Sequence, residues 1–169
     1  MEYCAHCSHK LAVQEIYGRL RPICPSCGFI VFQGPKVAVG ILAARAGRLL
    51  MTRRNIDPGK GKWGFPAGYM DIDEAVEETA RREFKEETGF DVRIDGLIGV
   101  YSLVERGVLL VAYAGTIVGG TLNMDHETQA VDFFAPDNLP DLAFEQNRQI
   151  IADWLRFLER ASPPTNTTK

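Results

Sequence analysis

The chain has 169 residues, 46% of them hydrophobic, and a formal net charge of −3, which suffices for one domain with a substantial core and a small appendage. Its pI near 5.6 excludes the strongly basic surface typical of proteins that bind duplex nucleic acid, so a nucleic-acid partner is not favoured. Because no apolar run approaches the roughly 20 residues that cross a bilayer, and the first residues lack the apolar core of a secretory signal, we expect a soluble cytoplasmic protein with no membrane partner.

The first predicted element is a metal-binding module over residues 1–33. Its cysteines form two CxxC pairs, Cys4 with Cys7 and Cys24 with Cys27. Each CxxC turn presents two thiolates to one tetrahedral ion, so two such turns close a four-sulfur shell around a structural Zn²⁺. In a reducing compartment, clustered cysteines favour a metal over disulfides. The spacing resembles that of a zinc ribbon.

Three alternatives for this module stay open. The two cysteine pairs could be redox-active dithiols, and His6 or His9 could replace one cysteine as a ligand. The ribbon could also dock a protein or a nucleic acid, although its few basic residues do not favour the latter.

Gly28 follows the second pair, where a tight turn is expected. A module this short buries little apolar surface, so zinc would supply much of its folding free energy.

A larger domain is predicted over residues 36–160, after a short linker. The sequence KVAVGILAAR alternates and predicts a half-buried strand whose inner side carries Val37, Val39 and Ile41. An Ala-Gly-Arg turn at 46–48 and the apolar run that follows predict a returning strand.

Two arginines and a glycine-rich stretch follow this hairpin. Guanidinium groups match phosphate oxygens bidentately, so Arg53 and especially Arg54 are candidates for substrate binding, with a solvated surface position as the alternative. Residues 59–64 (GKGKWG) formally match the dinucleotide fingerprint GxGxxG. That fingerprint needs a strand before it and a helix after it, whereas prolines flank this stretch on both sides, so we reject the match.

Three acids in residues 82–87 (REFKEE) predict a cation site. On a helix, Glu83, Glu86 and Glu87 share one face, and the like charges one turn apart cost about 0.2–0.5 kcal/mol. Carboxylate oxygens suit a hard divalent ion such as Mg²⁺ or Mn²⁺. The alternative is a solvated acidic helix, supported by two possible i,i+4 ion pairs, Glu77 with Arg81 and Glu78 with Arg82.

Local signals predict the bounds of this helix. Asp71 or Asp73 could cap its start, and Gly89 lies where a left-handed residue ends a helix. Apolar residues that recur every four positions predict the face toward the core: Val76, Ala80 and Phe84.

The spacing from Gly68 to Phe90 resembles the complete signature of the Nudix hydrolases. Every fixed position is filled: glycine, five residues, glutamate, seven residues, Arg-Glu-Phe, one residue, Glu-Glu, one residue, Gly-Phe. We call Glu83, Glu86 and Glu87 the box glutamates. The resemblance implies an α/β fold of the Nudix type, an α/β/α sandwich with a mixed sheet behind the small zinc ribbon.

The resemblance also implies roles for individual residues. The box glutamates would hold Mg²⁺ or Mn²⁺ together with the backbone carbonyl of Gly68, and Arg82 would brace Glu74 and orient the cluster. A glutamate from a later loop sometimes acts as general base or extra ligand in this family, and Glu127 is the candidate here. A box glutamate as the base, with Glu127 a solvated loop acid, is the alternative. Homodimers are common in the family.

The remainder of the chain predicts further sheet and one helix. Two strand-like runs, 97–104 and 108–118, flank Glu-Arg-Gly and predict a hairpin, and residues 131–134 predict another strand. Residues 144–159 predict an amphipathic helix with Trp154 in the core. The polar tail 161–169 predicts disorder.

Family resemblance narrows the substrate. A ribbon before the box is similar to the NADH pyrophosphatases, but those carry a Ser-Gln-Pro-Trp-type run after the box where this chain has LIGVYS at 97–102. The runs WGFPAGY at 63–69 and LAF at 142–144 look closer to FAD and ADP-ribose pyrophosphatases. Phe65, Tyr69 and Tyr101 are the candidate aromatic contacts for the substrate, with packing as the alternative for each.

The expected reaction is hydrolysis of the pyrophosphate bond in a nucleoside diphosphate linked to another moiety, ADP-ribose or FAD, into two monophosphates. Three alternatives remain: an NADH pyrophosphatase, a nucleoside-triphosphate clean-up enzyme, and a non-catalytic sensor of ADP-ribose-type ligands. All box glutamates are present, which disfavours the sensor.

Overall fold

The computed structural model describes residues 1–161. They belong to two compact units, Met1–Pro35 and a larger unit that begins at Lys36. Apart from Ala161, which ends the last helix, the tail predicted to be disordered lies outside the described residues. Within the described part, no helix has the length and apolar character needed to cross a membrane.

The smaller unit is an antiparallel strand pair between two cysteine turns. Strands β1 (Ala12–Ile16) and β2 (Arg19–Ile23) pair with each other. In the first turn the Ser8 N–H donates to the Cys4 carbonyl, and in the second the Gly28 N–H donates to the Cys24 carbonyl, both at 2.9 Å. Ser8 and Gly28 have positive φ angles of 59° and 75°, so the turn expected at Gly28 is confirmed and Ser8 repeats it.

The larger unit is built on a seven-stranded mixed sheet. Its strands are β3 (Lys36–Arg45), β4 (Arg48–Arg54), β5 (Trp63–Gly64), β6 (Ala67–Tyr69), β7 (Phe90–Leu103), β8 (Val108–Gly120) and β9 (Thr128–Phe134). The order β5-β4-β3-β8-β7 forms the main path, while β6 pairs with β3 and β9 with β4. Only β3 and β8 run parallel among the paired strands of the described residues.

Two helices, α1 (Val76–Thr88) and α2 (Gln146–Ala161), cover opposite faces of this sheet. Side chains of β3 alternate: Val39 packs in the cluster that holds Phe84 of α1, and Leu42 in the cluster that holds Trp154 of α2. The predicted α/β/α sandwich with a mixed sheet is confirmed. The prediction that β3 is half-buried is wrong. This strand lies in the middle of the sheet between two helices, so its side chains are buried on both faces.

The predicted cap of α1 is wrong, and its predicted end is confirmed. The helix starts after Ala75, whose N–H donates to Glu78 Oε2 at 3.1 Å, and neither Asp71 nor Asp73 caps it. Glu78 reaches back to the backbone because this satisfies an N–H that has no partner inside the helix. Gly89 adopts the left-handed conformation, φ 76°, and its N–H donates to the Lys85 carbonyl.

Neither predicted ion pair on α1 forms. The Glu77 carboxylate accepts a hydrogen bond from the Tyr113 hydroxyl at 3.0 Å, and Arg81 donates to the Glu77 backbone carbonyl instead. Glu78 caps the helix, and Arg82 turns toward other acids. Tertiary partners therefore displaced pairs that are worth only about 0.2–0.5 kcal/mol on an isolated helix.

Strand β7 begins at Phe90, seven residues before the predicted run at 97. Its first half alternates buried apolar and exposed charged side chains (FDVRID) and pairs with the end of β8. Helix α2 begins at Gln146 rather than 144, and Trp154 is 2% exposed, as expected for the core.

Candidate active site

The box glutamates lie in the last six residues of α1, close to its carboxyl end. Unpaired carbonyls give that end a negative partial charge, which disfavours carboxylates there and favours a cation beside them. The three side chains do not all turn the same way. Glu83 and Glu86 turn to Arg82, whereas Glu87 turns to the sheet.

Arg82 contacts three acids. It donates two hydrogen bonds to Glu74, one from Nε to Oε1 and one from Nη2 to Oε2 at 2.7 Å. Its Nη1 donates to Glu83 Oε1 at 2.8 Å and to Glu86 Oε2 at 3.2 Å. These hydrogen bonds from Arg82 lower the pKa of Glu74 to about 2. Among the described residues, no group donates a hydrogen bond to Oε2 of Glu83 or to Oε1 of Glu86. These two oxygen atoms are therefore available to bind a cation.

Glu87 is the most enclosed of the box glutamates. Its carboxylate accepts hydrogen bonds from the Thr52 hydroxyl at 2.7 Å and from the Ala67 N–H at 3.1 Å. Burial nevertheless raises the pKa of Glu87 to about 7, and burial likewise raises the pKa of Glu83. Enclosed carboxylates with raised pKa values are typical of functional sites, and these oxygen donors suit a hard divalent cation.

Gly68 lies against the carboxylate of Glu83. A Cβ atom on Gly68 would come within 2.0 Å of the Glu83 carboxyl carbon. The missing side chain therefore lets β6 approach α1 closely enough for backbone and carboxylate to share one site.

The loop before β9 brings two further acids toward the box. The Glu127 N–H donates to Asp125 Oδ1 at 3.0 Å, and Glu127 lines the same cavity as Glu87. Besides burial, the charge of Glu127 contributes to the raised pKa of Glu83, and that of Asp125 to the raised pKa of Glu87. The sequence pattern Asp-x-Glu in a loop was the available signal for Asp125.

A cavity of about 210 Å³ opens beside these acids. Of the predicted substrate contacts, Arg54, Phe65 and Tyr69 line it; Phe65 also belongs to the core, and Tyr69 is 48% exposed. Arg53 and Tyr101 do not line it, because the Arg53 Nε donates to the Gly61 carbonyl and the Tyr101 hydroxyl donates to Asp153, each at 2.8 Å. Three further residues line the cavity although their sequence positions indicate only a turn or the start of a helix: Arg106, Phe144 and Asn147.

The four thiols of the smaller unit converge. The Sγ atom of Cys7 lies 3.3 Å from that of Cys24 and 3.5 Å from that of Cys27. The Sγ atoms of Cys4 and Cys27 lie 3.7 Å apart. A tetrahedral ion with Zn–S bonds of about 2.3 Å separates its sulfurs by about 3.8 Å, so the set fits zinc. All four cysteines are free of disulfides.

The histidines of this unit have other contacts. The His6 ring stacks on Phe29 with centroids 4.0 Å apart, and His9 Nδ1 lies 3.3 Å from the Cys7 carbonyl oxygen. Within residues 1–161, histidine, cysteine, aspartate and glutamate side chains form one group of three or more whose ligand atoms all lie within 4.8 Å of one another, and that group is the four cysteines. The box glutamates are therefore spread more widely than the thiols.

The NUDIX domain family profile matches residues 34–155. The chain belongs to the Nudix hydrolase family. It is 35% identical to an ADP-ribose pyrophosphatase of Methanocaldococcus jannaschii over 73% of this chain and 75% of that one. It is also 30% identical to the NAD-capped RNA hydrolase NudC of Chromobacterium violaceum. That alignment covers 83% of this chain and 52% of the NudC chain.

Solved structures agree with this assignment. A NUDIX hydrolase from Nitrosomonas europaea superposes with a TM-score of 0.88 at 29% identity, covering 96% of this chain and 95% of that chain. This Nudix protein is thus an enzyme, a pyrophosphohydrolase of small nucleotide-derived substrates. Nudix enzymes generally use a divalent metal.

Proposed function

We propose that this Nudix enzyme hydrolyses the pyrophosphate bond of a nucleoside diphosphate linked to another moiety, with ADP-ribose or FAD as substrate, and releases two monophosphates. The observation that carries the proposal is the cavity beside the box, where Glu87 and Glu127 share the lining with aromatic and apolar side chains that suit a nucleoside. The cavity is smaller than the roughly 300–1,000 Å³ of common ligand pockets, so the second moiety would extend outside it. The similarity to an ADP-ribose pyrophosphatase supports ADP-ribose ahead of FAD.

The box glutamates and the Gly68 carbonyl would hold Mg²⁺ or Mn²⁺. When bound, such an ion neutralises phosphate charge and lowers the pKa of coordinated water. The donor set fits it, because oxygen atoms of Glu83 and Glu86 are without hydrogen-bond donors among the described residues.

The remaining roles belong to the chain's own side chains. Arg82 holds one oxygen each of Glu83 and Glu86, which orients their other oxygens. Thr52 fixes Glu87 in the same way from β4. Glu127, about half exposed at the cavity, would accept the proton of the attacking water, and a box glutamate is the alternative base.

The smaller unit would be a zinc ribbon over residues 1–33 with a structural role, because four thiolates leave no coordination position for water. The catalytic domain would occupy residues 36–160. A cytoplasmic location and a homodimer stay predictions; light scattering would give twice the chain mass of 18.8 kDa for the dimer.

One panel of substrates tests the proposal. ADP-ribose, FAD, NADH and deoxynucleoside triphosphates would be incubated with Mg²⁺ or Mn²⁺, and products identified by mass spectrometry. We expect AMP plus a second monophosphate from ADP-ribose. Release of inorganic pyrophosphate from triphosphates alone would favour the clean-up enzyme, and binding of ADP-ribose without turnover would favour the sensor.

NAD-derived substrates are the second candidate. The alignment with the NAD-capped RNA hydrolase NudC of Stutzerimonas stutzeri covers 95% of this chain and 59% of that one at 27% identity, and so extends into the smaller unit. NAD-capped RNA therefore joins NADH in the panel, and it also tests whether RNA is a partner. Faster hydrolysis of either one than of ADP-ribose would replace the first proposal.

A further inference from the structure

The cavity beside the box carries two guanidinium groups around one aromatic ring. The Cζ atom of Arg106 lies 4.0 Å from the centre of the Phe144 ring, and that of Arg54 lies 5.4 Å from it. Arg54 Nε also donates to the Pro58 carbonyl at 2.8 Å, which fixes its position. Arg54 is the last residue of β4, and Arg106 lies in the turn between β7 and β8. Phe144 lies just before α2.

Neither arginine is neutralised by an acid. Across residues 1–161, no carboxylate lies within ion-pair distance of Arg54 or Arg106, although Glu87 and Glu127 line the same cavity. Stacking on an aromatic face attracts each cation but does not relieve the repulsion between them. An anion held by both would relieve it.

A side-chain amide lies in the same cavity wall. Asn147 is 4% exposed and lines the cavity beside Phe144, so it can supply a hydrogen-bond donor to a ligand bound there. Asn147 is the second residue of α2, whose amino end favours negative charge.

We propose that Arg54, Arg106, Phe144 and Asn147 form a phosphate subsite that binds the nucleoside monophosphate half of the substrate without help from a divalent cation. Guanidinium groups bind phosphate oxygens in bidentate fashion, and the Asn147 amide adds a donor. The proposal rests on the proposed function for the identity of the nucleoside. The subsite would position substrate and contribute to KM more than to kcat.

Calorimetric titration of the full chain with AMP and with adenosine, in buffer free of Mg²⁺ and Mn²⁺, tests the subsite. The variants Arg106→Gln and Arg54→Gln should weaken AMP binding at least tenfold, toward the affinity of adenosine, while adenosine binding stays unchanged. Arg106→Lys keeps the charge but loses the planar fork, so it should fall between wild type and Arg106→Gln. Arg148→Gln is the matched control, because Arg148 is an exposed arginine of α2 that does not line the cavity.

Two results would overturn the subsite: no saturable binding of AMP to the wild type, or wild-type affinity for AMP in Arg106→Gln at an unchanged melting temperature. Glu86→Gln separates this proposal from the catalytic one. It should lower kcat by roughly a hundredfold or more and yet bind AMP like the wild type in the same cation-free buffer. Retained turnover in Glu86→Gln would count against the catalytic proposal alone.

Discussion

The guanidinium of Arg82 binds the carboxylate of Glu74 in a bidentate manner: Nε donates to Oε1, and Nη2 donates to Oε2 at 2.7 Å. Thr79 adds a hydroxyl donor to Glu74 at 2.9 Å. Because Arg82 also donates to Glu83 and Glu86, the pair links the start of α1 to the acids at its end.

Glu74→Gln should make the protein less sensitive to acid. The pKa of Glu74 is about 2 in the fold and near 4.5 when unpaired, so between these values the unfolded chain binds more protons. The stabilisation is complete above about pH 4.5 and disappears as the pH falls toward 2. Denaturant unfolding of the wild type and the variant should therefore differ at pH 6 and converge at low pH, whereas a difference that ignores pH would contradict the pairing.

Glu86→Gln should lower kcat by roughly a hundredfold or more, because a lost metal ligand forfeits several kcal/mol of charge stabilisation. Glu86 is half exposed at the surface of α1, so the melting temperature should stay near that of the wild type. Glu159→Gln, at an exposed acid of α2, is the control and should keep full activity. Steady-state kinetics with ADP-ribose measure the effect, and near-native turnover in Glu86→Gln would refute the metal assignment.

Gly68→Ala should reduce kcat/KM by roughly a hundredfold, since a displacement of about 1 Å in a catalytic group can cost that much. The added methyl would lie 2.0 Å from the Glu83 carboxyl carbon and must push that carboxylate away. Gly34→Ala is the control, because a Cβ there meets nothing within 4 Å. A fully active Gly68→Ala protein would contradict a role for this close approach.

Zinc should be present at about one ion per chain in protein purified under reducing conditions, as four thiolates on one ion require. Replacing Cys24, which is 1% exposed, by serine should remove the zinc and open residues 1–35 to proteolysis, while the unit from Lys36 stays folded. Elemental analysis and limited proteolysis measure these effects. Metal-free wild-type protein with an intact smaller unit would argue against a structural zinc.

Several elements of this fold were predictable because their signals are local. Apolar spacing of four residues placed Phe84 of α1 in the core, and the left-handed position of Gly89 ended that helix where expected. The CxxC pairs were equally legible, since the two ligands in each pair lie within one turn of chain. The alternation in FDVRID at the start of β7 was also readable and was overlooked.

By itself, the sequence determined the Nudix box, the four-thiol set, the α/β class and the core faces of both helices. Only the tertiary structure decided that Glu78 caps α1, that Arg82 takes the acids Glu74, Glu83 and Glu86, and that Arg106 meets Phe144 in the cavity. The reason is physical: periodicity and spacing report which side of an element a residue occupies. The choice among several polar partners depends on distances that exist only after distant elements have packed.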